Sequence, residues 1–341
     1  MDVTTPLTML GGQSPAQFMR RHWHKKPLLV RQAFPGLQPP VSRAELFEQA
    51  SMEEVESRLV VRAHDTWRLR HGPFSRRSFP PLSRPGWTLL VQGLDLHVPA
   101  AHDLLRRFRF VPDARLDDVP LKILQHFQPE QEWVLEPGDM LYLPPRWGHD
   151  GVAVGWDCMT CSVGFRSSSV AELAGELLAR AADVADLEDG PPRSRVRRRY
   201  RDPGQAATQT PGQVPAALQH FAQEAVQAVL AQPGRLQAVL GEWLTEPKPQ
   251  VWFQPGTTLE AGHGVRLDQR TRMMYDDRHV FLNGESFRAS GPDARWMRQL
   301  ADHRALGPRE VAALSAQARA MLEDAVQAGW MHGHPPLRGA P

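Results

Sequence analysis

EPGDMLYLPPRWGHD, residues 136–150, is the stretch of sequence that decides the fold. The letters PGD predict a turn, MLYL predicts a short buried strand, and PP predicts a second turn that delivers His149 to the start of the next strand. Apolar runs and Gly/Pro turns alternate in the same way across residues 133–165. Strands this closely spaced, without intervening helices, are typical of a β-sandwich or barrel.

His149 is the candidate metal ligand of this stretch. A histidine on a rigid barrel wall can hold its imidazole at metal-bonding distance with little conformational freedom to lose. A histidine that follows a turn can equally be a polar residue at the rim of a domain. The stretch by itself leaves both interpretations open.

Composition and length limit the classes of protein to consider. The chain has 341 residues, which favours two or three domains, and 40 Lys+Arg against 38 Asp+Glu give a formal charge of +2. A nearly neutral chain is not built to hold nucleic acid over its whole surface, so any such contact must be local. No apolar run is long enough to span a bilayer, and no signal-peptide pattern opens the chain, so we expect a soluble cytoplasmic protein.

The two cysteines, Cys158 and Cys161, form a C-x-x-C pair. Residues 157–163 read as a strand, in which a spacing of three places the two sulfurs on opposite faces. A zinc or redox site needs both thiols on one side, so this pair is not expected to form one.

The residues before the 136–150 stretch predict a mixed helix-and-strand region. The predicted helices are residues 15–23, 42–50 and 98–108, and the predicted strands are residues 28–30, 58–62, 66–70 and 87–91.

Two amphipathic helices follow the strand-rich region. Ser169 and Glu172 form a capping box for the first of them. Each helix has an apolar face, made of Val170, Leu173, Leu177, Ala181 and Val184 in the first and of Leu218, Phe221, Ala222, Ala225 and Val229 in the second. Because appended helices often complete their burial across a two-fold axis, we expect a homodimer through these faces.

The C-terminal residues predict a small winged-helix-like module. Residues 265–267, 273–275 and 279–282 read as strands, Asn283-Gly284 is a hairpin signal, and residues 308–327 read as one helix. The predicted domains are therefore residues 1–167, a helical region at 168–245, and the module at 246–341.

Six arginines occur within residues 193–201, RSRVRRRYR. The simpler interpretation is a solvated connector between helices. The alternative is a phosphate-facing patch for ribosomal RNA, in which Tyr200 could stack on a base.

The 136–150 stretch resembles the second cupin motif, since Gly138 is followed after five residues by Pro144, and His149 lies five positions beyond that proline. PGDMLYLPP…H resembles JmjC proteins in particular. KKPLLVRQAFP (25–35), RFRFVPD (107–113), LDD (116–118) and SVGFR (162–166) extend the likeness to the bacterial arginine hydroxylases of a large-subunit ribosomal protein. The resemblance implies an α+β fold: a JmjC-type double-stranded β-helix (cupin) core, a helical dimerisation region and a winged-helix-like C-terminal module.

The same resemblance implies iron(II) and 2-oxoglutarate as cofactors. In that family, an H-x-D pair and a distal histidine form a 2-His-1-carboxylate triad, which leaves coordination positions for 2-oxoglutarate and O₂. His149 matches the distal histidine. Thr160 matches a position that faces the cofactor pocket, although an ordinary strand threonine would look the same.

The H-x-D pair is missing from this sequence. None of the 14 histidines has Asp or Glu at the second following position. The family pattern reaches Asp118 and Val119, and Pro120 then leads directly to Leu121, so on the order of 40 residues, two or three strands, are absent. The basic residue that grips 2-oxoglutarate belongs to the same segment. Either the loss is natural, or the gene has been read incorrectly across residues 118–121.

Three functions remain open from the sequence. The first is a protein arginine hydroxylase acting on a large-subunit ribosomal protein, inactive as the chain is written. The second is a catalytically silent module that keeps the dimer and the ribosomal contact. A metal-dependent cupin of another chemistry, such as an isomerase, is disfavoured because it would need more histidine ligands than remain.

Overall fold

The computed structural model describes residues 2–63, 66–116, 129–155, 158–188, 200–204, 206–207, 210, 212–231 and 234–335. The chain forms two compact units. The N-terminal unit comprises Met1–Ser167 and Pro249–Trp252, and the C-terminal unit comprises Ser168–Lys248 and Phe253–Pro341.

The N-terminal unit mixes short helices with short strands. Its helices are α1 (Pro15–Arg21), α2 (Arg43–Gln49) and α3 (Pro99–Arg106), and its strands are β1 (Leu28–Val30), β2 (Ser57–Ala63), β3 (Thr66–His71), β4 (Trp87–Val91) and β5 (Met140–Tyr142). Helix α1 begins at a capping box, in which Ser14 and Gln17 each accept the other's backbone N–H, with Pro15 at the first helical position. All of these elements were predicted, with ends that differ by one or two residues.

Two separate sheets organise this unit. Strands β1 and β5 form an antiparallel pair with Leu28 opposite Tyr142, and β2 lies between β3 and β4 in an antiparallel sheet. One apolar cluster packs around the β1–β5 pair, and its most buried members are Leu10, Phe18, Val30, Ala33 and Tyr142. A smaller cluster of Ala50, Leu59 and Phe74 packs beneath the three-stranded sheet.

The predicted series of strands across residues 133–165 is largely wrong. Within the described residues of that range, β5 is the one strand, and Phe165 adds an isolated bridge to Leu116. A strand needs a neighbour that accepts and donates its backbone hydrogen bonds, and among the described residues no such neighbour lies beside residues 143–155 and 158–164. The described part of the core is therefore open and does not close into a barrel.

The strand assigned to residues 157–163 is also wrong, because residues 158–163 have no strand pairing. Cys158 and Cys161 are both free and exposed. Because these residues form no strand, the expected placement of the two sulfurs on opposite faces of a strand does not apply.

The C-terminal unit begins with three helices, α4 (Val170–Glu188), α5 (Ala216–Leu230) and α6 (Arg235–Thr245). Two three-stranded sheets and three further helices follow: β6 (Gly264–Leu267), β7 (Met273–Tyr275), β8 (His279–Leu282), β9 (Glu285–Arg288), α7 (Gly291–His303), β10 (Ala305–Leu306), α8 (Pro308–Ala312), α9 (Ala316–Gln327) and β11 (Met331–His334). The sheet orders are β10-β6-β11 and β7-β8-β9. Val265, Leu282, Leu300, Leu322 and Met331 are almost fully buried between these elements.

The strands and the hairpin predicted for this unit are confirmed. Asn283 (φ 47°) and Gly284 (φ 91°) form the turn between β8 and β9. Such a turn needs positive φ at both central residues, which Asn followed by Gly adopts readily. The single helix expected at residues 308–327 is wrong, since α8 and α9 are separate helices. Ser315 starts α9 by accepting the N–H of Ala318, and Asp293 in turn accepts the N–H and O–H of Ser315.

Replacing Gly241 with alanine is expected to destabilise the C-terminal unit. A Cβ at Gly241, in α6, would lie 2.3 to 2.4 Å from atoms of the buried Phe281 ring. Such overpacking costs about 1–3 kcal/mol, which offsets or exceeds the gain of about 1 kcal/mol that alanine brings to a helix interior.

Gly175→Ala is the matched control, because Gly175 lies inside α4 and an added Cβ would meet nothing within 4 Å. Thermal unfolding followed by circular dichroism should give a Gly241→Ala midpoint clearly below that of Gly175→Ala. Equal midpoints for the two variants would show that α6 and β8 do not pack this closely.

Candidate functional site

The turn before β5 is fixed by close backbone contact. Gly138 has φ 91°, and its carbonyl accepts the N–H of Phe34 at 2.9 Å. A Cβ at Gly138 would lie 2.6 Å from the Phe34 carbonyl oxygen, so no larger residue fits without a backbone shift. The turn predicted from the letters PGD is confirmed and has a structural reason.

Asp139 ties this turn to the end of β1. Its carboxylate accepts the backbone N–H of Gln32 at 2.9 Å and of Glu136 at 3.0 Å, and the Arg31 guanidinium lies 2.6 Å away. The side chain is 2% exposed. Hydrogen bonds from the Glu136 and Gln32 backbone and from Arg31 lower the pKa of Asp139 to about 2. Sequence reasoning assigned no such role to Asp139.

Tyr142, the last residue of β5, belongs to the core. It is 7% exposed and stacks on Trp23 with ring centroids 5.9 Å apart. Its hydroxyl oxygen accepts the backbone N–H of His24 at 2.9 Å. The role of this tyrosine is therefore core packing.

The Arg115 guanidinium lies near Tyr142 and contacts two separate parts of the chain, His24 just after α1 and Arg166 at the end of the SVGFR stretch. It lies 2.9 Å from Nε2 of His24 and donates to the carbonyl of Arg166 at 2.6 Å. Partial desolvation and the charge of Arg115 hold the pKa of His24 below its usual value. His24 also has a positive φ (56°), and no sequence pattern predicted this backbone conformation.

His149 lies on an exposed segment. After β5, the backbone turns at Pro144, whose carbonyl accepts the N–H of Trp147 at 3.3 Å, and Arg146 adopts φ 69°. The Nδ1 atom of His149 lies 3.4 Å from the Trp147 carbonyl oxygen. No strand starts at His149, so the expectation that it would sit at the start of one is wrong.

Thr160 is also exposed and lies in a segment without strand pairing. The described residues contain no group of three or more His, Cys, Asp or Glu side chains that could hold a metal ion. The predicted junction at residues 119–121 lies outside the described residues, as does His126. The residues that the structure describes therefore do not fit a three-ligand iron site, in agreement with the lack of H-x-D in the sequence.

Two protein-family models match the chain, a JmjC domain at residues 104–173 and a ROXA-like winged helix at residues 228–332. The Escherichia coli ribosomal protein uL16 3-hydroxylase is 34% identical over 203 residues, which cover 46% of this chain and 53% of that protein. A probable ribosomal oxygenase of Haemophilus influenzae is 28% identical over 209 residues, 47% of this chain and 51% of that protein. The chain thus spans about half the length of the curated relatives it matches.

The fold is similar to solved structures of the Escherichia coli ribosomal oxygenase YcfD. One of them has a TM-score of 0.72 at 24% identity and covers 94% of this chain and 98% of that chain. Two others, with a TM-score of 0.71 each and 23% and 22% identity, contain cobalt with succinic acid and cobalt with 2-oxoglutarate. At this level of identity the likeness shows the fold.

Replacing Asp139 with asparagine is expected to lower the thermal midpoint of the N-terminal unit by several degrees at pH 7. A carboxyl whose pKa drops from 3.8 to about 2 on folding contributes stability above pH 4, and this contribution is lost as the pH falls towards 2. The difference between the native chain and Asp139→Asn should therefore narrow between pH 4 and pH 2.

Asp150→Asn, at an exposed position of the same stretch, is the control and should leave the midpoint unchanged. The structural role of Asp139 would be contradicted if the two variants had the same midpoint at pH 7, or if the deficit of Asp139→Asn stayed constant down to pH 2.

Proposed function

We propose, from the premise that this chain belongs with the bacterial JmjC ribosomal oxygenases, that it is a member of that group whose iron site is incomplete. Its ancestry is that of an iron(II)- and 2-oxoglutarate-dependent dioxygenase that hydroxylates an arginine of a large-subunit ribosomal protein. As written, the chain does not carry out that reaction. The name of the Escherichia coli relative, a uL16 3-hydroxylase, supports a ribosomal protein as the partner.

One observation carries this proposal: none of the 14 histidines in the 341 residues is followed at the second position by a carboxylate. Adjacent pairs do not replace it: His102-Asp103 lies in the helix α3, and His149-Asp150 lies on exposed chain outside any strand. A facial triad needs three ligands, and a single histidine neither fixes the geometry of iron nor binds it tightly. The absence of any three-ligand group among the described side chains agrees with this.

His149 and Thr160 remain the proposed remnants of the site. In a complete site His149 would be the distal iron ligand, and Thr160 would lie beside the 2-oxoglutarate. Within the described part of the chain, Nε2 of His149 has no hydrogen-bond partner, so it is available to a metal. No catalytic step follows from these two residues without the missing segment.

The second candidate function is a catalytically silent binding module, and the intact C-terminal unit favours it. The winged-helix core is closely packed, with Leu282, Leu300 and Leu322 completely buried. Apolar side chains of α5 face solvent in the single chain, since Val226 is 53% and Leu230 45% exposed. We infer that α5, with the N-terminal half of α4, forms a homodimer interface, through the exposed Val226 and Leu230 and not through the face expected from the sequence, of which Phe221 and Val229 are half-buried in the single chain.

Two further proposals follow from the ribosomal assignment. Residues 193–201 could make a weak contact with ribosomal RNA; residues 193–199 lie outside the described part, and Tyr200 contacts the Phe221 ring at 5.7 Å. A protein that acts on ribosomal proteins would work in the cytoplasm. No described helix is both long enough and apolar enough to cross a bilayer.

Purified protein of this sequence is expected to convert 2-oxoglutarate to succinate no faster than a buffer control, even with iron(II), ascorbate and a ribosomal-protein peptide present. The physical reason is the missing pair of iron ligands. Succinate formed in proportion to hydroxylated peptide, measured by mass spectrometry, would contradict the proposal.

A repaired chain tests whether His149 is a remnant ligand. Inserting a segment with H-x-D and the basic strand residue between Val119 and Leu121 should restore iron binding and 2-oxoglutarate turnover, and His149→Ala in the repaired chain should abolish both. If the repaired chain folds but its activity does not respond to His149→Ala, His149 is a structural residue only.

The dimer is tested by light scattering at micromolar concentration. The native chain should have twice the chain mass of 38.3 kDa. Val226→Asp with Leu230→Asp should give the monomer mass, because two charges would be buried at the interface without partners. Ala228→Asp, an exposed position on the opposite side of the same helix, is the control and should leave the dimer intact. A monomeric native chain would contradict the proposed interface.

A further inference from the structure

The sheet of β2, β3 and β4 with its connecting loop, residues 57–91, has a charge unlike that of the rest of the chain. It contains seven arginines and one acidic residue, Asp65, which gives a formal charge of +6. The whole chain carries +2, so all other residues together carry −4. We call residues 57–91 the arginine-rich sheet.

The positive charge lies on the surface. Arg62, Arg68 and Arg70 are exposed on the two strands of the β2–β3 hairpin, and Arg76, Arg77 and Arg84 are exposed in the loop that follows. Among the described residues, no carboxylate pairs with the last three or with Arg68. Arg58 is the exception, because its guanidinium lies 2.6 Å from Glu56. Clustered cations without counter-charges raise the local potential and attract a polyanion.

An exposed aromatic ring lies in the same hairpin as these arginines: Arg62 is on its face of the sheet, and Arg68 and Arg70 alternate onto the other face of β3. Trp67 in β3 is 58% exposed, and the Arg62 guanidinium lies 5.7 Å from the centre of its ring. Arg62 stands opposite Trp67 in the antiparallel register, and Val60 stands opposite Leu69, so these four side chains share one face of the sheet. Leu69 is 54% exposed, which makes this an open face with an aromatic ring at its outer strand.

The opposite face of the sheet is occupied. Leu59 and Phe74 are 1% and 2% exposed there and form the small core described above. The fold of the sheet therefore does not depend on Trp67 or Leu69. In the strand order β3-β2-β4, β3 is an edge strand, and all six of its side chains are exposed. A long ligand can reach β3 along its whole length.

We propose that the arginine-rich sheet binds single-stranded RNA. Proteins that hold single strands combine a positive surface that follows the phosphates with aromatic rings on which bases stack. Trp67 supplies the ring and Arg62 supplies a cation beside it, while Arg68, Arg70 and the arginines of the following loop add cations elsewhere on the same sheet and loop, each with several N–H donors that suit phosphate oxygens. An acidic peptide would satisfy the charges but would give no reason for the exposed indole, so RNA is the occupant that the whole surface favours.

Fluorescence anisotropy of the full-length chain with a labelled single-stranded RNA of twelve nucleotides tests the proposal at 50–200 mM NaCl. Trp67→Ala should weaken binding about tenfold, within the range for loss of one stacked base, and Trp67→Phe should retain most of the affinity. Arg76→Gln with Arg77→Gln should reduce the slope of log K against log salt by about 1.4, since each lost phosphate contact on a single strand removes about 0.7.

Matched controls are available in the same chain. Trp252, 76% exposed, and the exposed Arg288 and Arg309 lie outside the arginine-rich sheet. Trp252→Ala, and Arg288→Gln with Arg309→Gln, should leave RNA affinity and salt slope unchanged. A duplex RNA of equal length should bind more weakly, because its bases cannot stack on Trp67.

Several outcomes would overturn the proposal. These are no binding of single-stranded RNA at 50 mM NaCl, equal losses in the control variants, and tighter binding of a polyglutamate peptide than of RNA. The proposal would also be overturned if RNA binding were lost when Arg197, Arg198 and Arg199 are all changed to Gln, but were unaffected by Trp67→Ala. That result would assign RNA binding to the 193–201 run.

Discussion

A strand in a sheet needs a neighbour for its backbone hydrogen bonds, and this constraint decides the form of the N-terminal unit. Strand β5 has β1 as its partner, and the Asp139 carboxylate joins the two at the turn through Gln32 and Glu136. Within the described chain, residues 143–155 and 158–164, which follow β5, have no such partner. His149 and Thr160 therefore lie on exposed chain, whereas a complete barrel would hold them on a rigid wall.

Features encoded by neighbouring residues were predictable from the sequence. The cap at Ser14, the turn at Gly138 and the Asn283-Gly284 hairpin each depend on a few consecutive side chains, and the structure contains all three. Features that depend on distant partners were not predictable. The break between α8 and α9 involves Asp293, which is 22 residues away from Ser315, and the role of Asp139 involves Arg31, 108 residues away.

The candidate site also has one part that the sequence predicts and one part that it does not. Its motif was recognisable because the spacing of Gly138, Pro144 and His149 is local. The arrangement of ligands around a metal is not local, since it requires strands that bring separate segments together. The absence of H-x-D could be read from the sequence alone, and the open core agrees with it. The matched JmjC and winged-helix segments, the lack of H-x-D in the sequence and the arginine-rich sheet are the observations on which the proposals rest.

The measurement that tests this account most directly is the metal content of the chain as written. Anaerobic equilibrium dialysis against cobalt(II), a stand-in for iron(II) that does not oxidise readily, should leave far less than one equivalent bound per chain, with or without 2-oxoglutarate. The amount should be the same for His149→Ala. One equivalent of cobalt that is retained by the native chain and lost in His149→Ala would contradict the account, because it would require a complete metal site built around His149.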